Sequence, residues 1–243
     1  MRRFGLIGYP IKHSFSKSFF NEKFKSEGIL DCAYENFEAN QVSELKTIIN
    51  KYHPIGLNVT IPYKTVVLKY CDFLSEEVKL IGAANTLKIT ENKIKAFNTD
   101  WLGFTKSLEK TNFDKNKIAL IIGSGGSSKA IQYALKQLSI DYKIISRNPN
   151  KTDLTYDQLN EKVFKGASLI VNCSPLGAYP NTSECPNIPY HLLDSNHFCF
   201  DLVYNPEKTL FLEKSEKMGA GIKNGLEMLI LQAEESWKIW QDN

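Results

Sequence analysis

Short apolar runs alternate with stretches of helical periodicity in the N-terminal part of the chain. Such alternation is typical of βαβ units, in which strands and helices follow one another. The apolar runs predict strands over residues 3–8, 34–37 and 56–60, and a hairpin over residues 86–90 and 93–97 that turns at Glu91 and Asn92. The helical stretches predict helices over residues 17–27 and 42–51 and a third that begins near Pro62.

A second α/β pattern follows a connecting helix, which is predicted over residues 101–110. Residues 118–122 are rich in Ile and Leu, which is typical of a parallel strand buried on both faces. A helix over 128–138 and strands over 142–146, 169–172 and 198–202 follow. A last helix is predicted over 226–240, because one helical face carries Leu226, Leu229, Ile230, Ala233, Trp237 and Trp240.

The restart of this pattern predicts two α/β domains with a boundary near residue 103. The length agrees, because 243 residues suit one large or two modest domains. The segment 218–221, with the sequence Met-Gly-Ala-Gly, is a predicted hinge. Periodicity alone leaves open whether the last helix returns to the first domain.

The composition predicts a folded protein without a nucleic-acid or membrane partner. Hydrophobic residues make up 42% and charged residues 23% of the chain, which is typical of globular proteins. The net charge of +3 is small, and no block of Lys and Arg stands out. No stretch approaches the roughly 20 apolar residues of a membrane span, and the N-terminal apolar run is too short for a signal peptide. A cytoplasmic protein is therefore predicted.

The five cysteines are scattered and contain no C-x-x-C pair. This spacing supports neither a disulfide framework nor a zinc site, and no metal is predicted. Buried free thiols are the expected state of Cys32, Cys71, Cys173, Cys185 and Cys199.

A glycine-rich turn joins the strand over 118–122 to the next helix. Gly123, Gly125 and Gly126 are followed by the sequence Ser-Ser-Lys-Ala. In a dinucleotide-binding turn, the first glycine allows a tight bend and the second lets the backbone approach a pyrophosphate at the positive end of the helix. Ser128 occupies the position of the third glycine. The strand–turn–helix context favours a dinucleotide site over an ordinary turn.

The following strand ends in Ser146, Arg147 and Asn148, with no acidic residue at its tip. NAD sites usually place Asp or Glu there, to accept from the ribose 2′-hydroxyl, whereas Asp141 precedes this strand. An arginine can pair with a 2′-phosphate, so NADP is favoured. The alternative is an ordinary exposed arginine.

Polar residues in the first domain recur in pairs two positions apart, and such pairs point to one side of an extended chain. They suit a polyhydroxylated ligand, although each residue could instead cap a helix. Lys64 falls in the first turn of the helix predicted from Pro62, where a cation opposes the helix dipole, and this suggests a chemical role, the alternative being a solvent-exposed surface lysine. The pairs are Ser14 with Ser16, Asn58 with Thr60, and Asn98 with Asp100.

Six segments, in this order, resemble motifs of the shikimate dehydrogenase family, and the resemblance runs nearly end to end. They are residues 8–16, 56–64, 82–86, 98–103, 201–206 and 225–233. The resemblance implies an NADP-dependent oxidoreductase that reversibly reduces 3-dehydroshikimate to shikimate in the chorismate route to aromatic amino acids. It also implies an α/β fold of two domains, an N-terminal substrate-binding domain and a Rossmann-type NADP-binding domain, in a monomer or homodimer.

By the same resemblance, residues 1–103 and 222–243 form the shikimate-binding domain, with the last helix returning to it, and residues 104–221 bind NADP. The catalytic residues are Lys64 and Asp100. The substrate-binding residues are Ser14, Ser16, Asn58, Thr60, Asn85, Tyr204 and Gln232. The cofactor-binding residues are Gly123, Gly125, Gly126, Ser127, Ser146, Arg147, Asn172, Ser174 and Gly225.

The chain departs from the family pattern at a few positions. Lys17 and Phe20 stand where the family usually has Pro and His, and Ser174 replaces the usual Thr. Two other functions are considered, a quinate/shikimate dehydrogenase that uses NAD and a non-catalytic shikimate-binding regulator. Arg147 argues against the first, whereas Lys64 and Asp100 argue against the second.

Overall fold

The computed structural model describes residues 1–12, 14–91, 93–148, 150 and 152–242. The predicted α/β fold class is confirmed, and the chain divides into two compact units. Unit 1 comprises Met1–Thr99 and Ala233–Asn243, and unit 2 comprises Asp100–Gln232. These boundaries differ from residues 103 and 222, where they were expected. They fall at or within helices, so no turn signal marks them in the sequence.

Unit 1 is built on a mixed six-stranded sheet of order β2-β1-β3-β5-β6-β4. Strands β1, β2 and β3 are parallel, whereas β5 pairs antiparallel with both β3 and β6. The strands are β1 (Arg2–Gly8), β2 (Cys32–Glu38), β3 (Gly56–Val59), β4 (Phe73–Leu74), β5 (Thr86–Thr90) and β6 (Lys93–Phe97). The helices are α1 (Phe15–Ser26), α2 (Leu45–Tyr52) and α3 (Glu76–Ile81).

Unit 2 is a five-stranded, all-parallel sheet of order β11-β10-β9-β7-β8. The strand order reverses beside β7, and ligands of open α/β sheets bind at such a switch point. The strands are β7 (Ile118–Ile122), β8 (Tyr142–Ile145), β9 (Ala167–Asn172), β10 (Phe198–Asp201) and β11 (Gly221–Lys223). The helices are α4 (Asp100–Leu108), α5 (Gly126–Gln137), α6 (Glu161–Lys165), α7 (Leu210–Lys217) and α8 (Leu226–Gln241).

The end of α8 completes the aromatic core of unit 1. Phe4 contacts Trp237 and Trp240, with ring centroids 5.2 and 5.0 Å apart. Trp240 Nε1 donates to the carbonyl oxygen of Leu87 over 2.9 Å. A Cβ on Gly56 would lie 2.5 Å from the Trp240 ring, so only glycine allows β3 to approach the indole. These contacts fix the last turns of α8 on the sheet.

The structure corrects two expectations and leaves a third untested. The α-helix predicted from Pro62 is a series of turns followed by a 3-10 helix over Val66–Tyr70, a segment that contains β-branched residues, which disfavour the α-helix. The segment 218–221, predicted to be a hinge, forms the turn that leads into β11, where the Gly221 N–H donates to the carbonyl of His197, and its mobility stays a prediction. None of the five cysteines forms a disulfide, but only Cys199 is buried, because it alone lies within a covered strand.

Part of the hairpin turn predicted at Glu91 and Asn92 lies outside the described residues, since Asn92 is not among them. None of the described helices combines the length and the apolar character that crossing a lipid bilayer requires.

Candidate active site

The paired serines lie at the start of α1. Ser14 is the N-cap of this helix, and its hydroxyl accepts from the backbone N–H of Ser16 over 3.3 Å. The helix-cap interpretation of Ser14 therefore holds, and the helix begins at Phe15 rather than at Lys17. Ser16 forms a hydrogen bond with Tyr34, a tyrosine whose pKa burial raises well above its ordinary value.

Tyr34 connects the serine pair to Asn58, which lies in β3. The Tyr34 hydroxyl donates to Asn58 Oδ1 over 2.8 Å. Asn58 Nδ2 in turn donates to Ser236 Oγ on α8 over 3.0 Å. Asn58 is only 5% exposed, and both ends of its amide are engaged within unit 1. A buried amide with this pairing is well suited to hold its neighbours in place.

The same network reaches Asn85. Ser236 Oγ lies 2.7 Å from the Thr86 hydroxyl and 3.1 Å from the Thr99 hydroxyl. Asn85 Nδ2 donates to Thr99 Oγ1 over 2.9 Å, while the Thr99 N–H donates to Asn85 Oδ1 over 2.7 Å. These bonds set the rotation of the Asn85 amide. Sequence reasoning did not single out Ser236, Thr86 or Thr99, although Ser236 lies one helical turn after Gln232.

Lys64 lies in the turn after β3 and is partly exposed. Its carbonyl oxygen accepts from the Ala84 N–H over 2.8 Å, so the backbone of Lys64 lies next to the segment that contains Asn85. The carbonyl oxygen of Thr60 accepts from the Tyr63 N–H and shapes this turn. Asn98, predicted as one of a ligand-facing pair, is buried and donates to the Ala83 carbonyl over 2.9 Å. It braces the same segment.

In unit 2, Asp100 is the first residue of α4 and is buried. Gln232 lies on α8, is also buried, and donates from Nε2 to the Leu229 carbonyl over 2.8 Å. A Cβ on Gly103 would lie 2.7 Å from the Met228 carbonyl and 3.0 Å from Gln232 Cβ. Helices α4 and α8 are therefore in closest contact at Gly103.

The glycine loop has the geometry of a phosphate cradle. Gly123 adopts a φ of 107°, and a Cβ there would lie 3.3 Å from the Cys173 backbone. Gly125 is the N-cap of α5, and a Cβ there would meet nothing within 4 Å. Gly126 and Ser127 form the first turn of α5, whose N–H groups and dipole favour an anion. These residues fit the pyrophosphate of a dinucleotide.

The end of β8 is organised around Ser146. Its hydroxyl lies 3.2 Å from that of Ser124 and accepts from the Asn148 N–H over 3.2 Å. Arg147 is exposed beside Tyr156, where its charge opposes the rise that burial causes in the pKa of that tyrosine. An exposed guanidinium next to the glycine loop fits a 2′-phosphate.

The loop after β9 is held by Asn172. Asn172 Oδ1 accepts from the backbone N–H and the hydroxyl of Ser174, over 3.0 and 2.6 Å. Asn172 Nδ2 donates to the buried carboxylate of Asp201 over 2.9 Å. Asp201 lies in the motif that contains Tyr204, but sequence reasoning gave it no role.

Tyr204 and Gly225 flank the next part of this edge. Tyr204 follows β10 and is partly exposed. The Gly225 N–H donates to the Val203 carbonyl over 3.1 Å, and a Cβ on Gly225 would overlap the Leu202 carbonyl oxygen. Glycine is thus required for this close backbone approach.

The predicted residues form two sets. In unit 1, Tyr34 links Ser16 to Asn58, while Lys64 and Asn85 lie on joined segments. In unit 2, the predicted cofactor residues surround the carboxyl ends of the parallel strands and the turn before α8. Across the described ranges, no group of three or more His, Cys, Asp or Glu side chains could hold a metal ion.

A family model of the shikimate dehydrogenase substrate binding domain matches residues 6–87. The chain is 37% identical to the shikimate dehydrogenase (NADP(+)) of Caldicellulosiruptor saccharolyticus, in a match that covers 100% of this chain and 93% of that protein.

Solved structures give the same picture. Shikimate dehydrogenase 1 from Peptoclostridium difficile superposes with a TM-score of 0.90 at 35% identity, covering 100% of this chain and 92% of that one. The Thermus thermophilus shikimate 5-dehydrogenase, in complex with NADP(H) and shikimate, superposes with a TM-score of 0.87 at 28% identity, covering 99% and 94%.

Proposed function

The chain belongs to the shikimate dehydrogenase family, and from this premise we propose that it catalyses the NADP-dependent, reversible reduction of 3-dehydroshikimate to shikimate. The observation that carries the proposal is the full-length match at 37% identity, with Lys64 and Asp100 both present. We further propose that the protein works in the cytoplasm, as a monomer or homodimer.

The polar residues of unit 1 are suited to a carboxylated, hydroxylated ring. We assign the substrate carboxylate to Ser14 and Ser16, whose hydroxyls are held by the α1 cap and by Tyr34. Thr60 and Asn85 are assigned to ring hydroxyls, together with Tyr204 and Gln232 of unit 2. An amide or hydroxyl both donates and accepts, as a polyol requires.

Reduction of a ketone creates alkoxide character, so a proton must arrive as the alkoxide forms. Lys64 delivers this proton, and in the reverse direction it takes the proton from the substrate hydroxyl. Asp100 orients the Lys64 ammonium and accepts from a neighbouring ring hydroxyl. A buried carboxylate calls for such partners, because an uncompensated buried charge is costly.

The cofactor-binding residues divide into a phosphate set and an adenosine set. Gly123, Gly125 and the first turn of α5 hold the pyrophosphate, and Arg147 holds the 2′-phosphate. Ser174 and Gly225 lie on the remaining part of the same sheet edge. When bound, NADP(H) supplies or accepts the hydride at the ring C3, while the protein supplies geometry.

The direct test is NADP reduction with shikimate, followed at the nicotinamide absorbance, with NAD and quinate assayed alongside. We expect turnover with NADP and shikimate to exceed turnover with NAD or quinate. Faster turnover with NAD and quinate would favour the quinate/shikimate dehydrogenase. Binding of shikimate without any turnover would favour a regulator.

A further inference from the structure

Asp201 is a fully buried carboxylate at the carboxyl end of β10, outside both predicted ligand sets. Its oxygens accept from Asn172 Nδ2 (2.9 Å), from the Val203 N–H (3.0 Å) and from Thr209 Oγ1 (2.6 Å). The donors belong to the end of β9, to the loop after β10 and to the N-cap of α7. One side chain thus joins three segments.

Two of these hydrogen bonds lead to proposed ligand-binding residues. Asn172 is also bonded to Ser174, whose N–H and hydroxyl both donate to Asn172 Oδ1. Val203 directly precedes Tyr204. Because Asn172 Oδ1 accepts both hydrogen bonds from Ser174, the orientation of the Asn172 amide sets the position of Ser174.

We propose that Asp201 is a positioning residue that holds the loops after β9 and β10 in one arrangement and thereby sets the affinities for NADP(H) and shikimate together. This inference rests on the proposed function, in which Ser174 binds the cofactor and Tyr204 the substrate. A carboxylate suits this position, because three donors converge on it and both of its oxygens accept. Burial raises the pKa of Asp201 to about 6, so the fold keeps a destabilising charge there at neutral pH. A positioning role accounts for that cost better than a contribution to stability.

The test compares Asp201→Ala and Asp201→Asn with the wild type, by fluorescence titration of NADPH and by the KM for shikimate. Asp201→Ala leaves three donors without their acceptor. It should raise the Kd for NADPH and the KM for shikimate about tenfold or more. Asp201→Asn keeps an oxygen for Asn172 and Val203, so both constants should stay within about threefold of the wild type. Asp194→Asn is the matched control, because its carboxylate also holds a neighbouring N–H but precedes β10. It should change neither constant.

A double-mutant cycle identifies the route of the effect. Asn172→Ala should weaken NADPH binding without changing the KM for shikimate. The double variant with Asp201→Ala should bind NADPH no more weakly than Asp201→Ala alone, because both act through one hydrogen bond. Additive losses, or a folded Asp201→Ala protein with unchanged constants, would overturn the inference.

If Asp201→Ala does not fold, the Asn172→Asp variant tests the inference instead. It places a second carboxylate next to that of Asp201, and the two repel each other. It should weaken NADPH binding at pH 8, and added Asp201→Asn should restore it. Unchanged NADPH binding by Asn172→Asp would overturn the inference. A wild-type protein that binds NADPH but does not oxidise shikimate would count against the proposed function only. The NADPH titrations of the variants would still test whether Asp201 positions Ser174.

Discussion

Two buried asparagines have the same role at the residue scale. Asn58 in β3 and Asn172 at the end of β9 each use both ends of the amide inside the protein. A buried amide is costly unless it is paired, and here the pairing fixes neighbouring side chains. Thr60 and Ser174, each two positions further on, are partly exposed, and we expect both to touch ligand.

Arg147→Ala should weaken NADPH binding far more than NADH binding, because only NADPH carries the 2′-phosphate. A charge-assisted hydrogen bond contributes roughly 1.5–3 kcal/mol, which corresponds to about ten- to a hundredfold in affinity. Titrations of both cofactors measure this difference. Lys143→Ala is the matched control, because it removes an exposed cation from β8, the strand that precedes Arg147. Equal weakening of NADPH and NADH by Arg147→Ala would contradict the assignment.

Lys64→Ala should lower turnover by ~10²-fold or more while cofactor binding and the fold remain intact, because proton delivery is lost. Steady-state kinetics at saturating substrates measure the change. Lys69→Ala, which removes an exposed lysine from the following 3-10 helix, should be silent. A Lys64→Ala protein with at least half of the parent turnover would end the proposed role.

Asp201 should make the stability of the protein depend on pH. Burial raises its pKa from 3.8 to about 6, so the folded protein binds this proton more tightly than the unfolded chain. The resulting stabilisation is present below about pH 4 and is lost as the pH rises through about 6, an effect of about 3 kcal/mol. The amide that Asp201→Asn introduces cannot ionise. As the pH rises through this range, the free energy of unfolding of the variant, measured in urea, should therefore increase relative to that of the wild type. Parallel pH profiles for the two proteins would contradict a raised pKa of Asp201.

At the scale of elements, α8 buries the face that apolar periodicity indicates in its last turns, at Ala233, Trp237 and Trp240, but not in its first turns. Leu226, Leu229 and Ile230 are only partly buried, whereas the polar residues Gln232 and Ser236 are buried. The early part of the helix packs on α4 in unit 2, and the later part packs on the aromatic core of unit 1. Hydrogen bonds offset the cost of burying Gln232 and Ser236, so the hydrophobic pattern of the sequence does not show that these two residues are buried.

Gly103→Ala should destabilise the packing of α4 on α8, even though alanine is the better helix former. The added Cβ would lie 2.7 Å from the Met228 carbonyl, and overpacking of this kind costs about 1–3 kcal/mol. Thermal unfolding measures the loss, and the KM for shikimate should rise because Gln232 shifts. Gly166→Ala is the control, since its Cβ would meet only ordinary contacts at 3.5 Å. A Gly103→Ala protein as stable as this control would refute the close packing.

The elements with strong patterns were predictable, and the weak ones were not. Strand β7 and the hairpin strands β5 and β6 have the predicted bounds, because buried runs and strict alternation are clear signals. The short elements β4, α3, α6 and β11 were missed, because their few residues carry no periodicity, and the longer helix α7 was missed as well. Motifs indicated the proposed ligand-binding residues, but Tyr34 and the bonds of Asp201 join positions that only the fold brings together.

At the scale of the whole molecule, unit 1 is discontinuous, because it needs the end of α8. A chain that stops after Gln232 should therefore lose the fold of unit 1 and keep that of unit 2. Burial of each tryptophan contributes several kcal/mol, and both Trp237 and Trp240 would be absent. Limited proteolysis with mass spectrometry should show cleavage within residues 1–99 and protection of residues 100–232. Equal protection of both regions would refute the dependence.

The discontinuity of unit 1 also sets an order of maturation during synthesis. Residues 100–232 form one contiguous stretch, so every residue of unit 2 is synthesised before the last segment of unit 1 is added. The Phe4 side of the β1 sheet has no Trp237 or Trp240 to cover it until then. It must stay in contact with water or with chaperones throughout that interval. The residues that leave the ribosome first are consequently the last to reach their native packing.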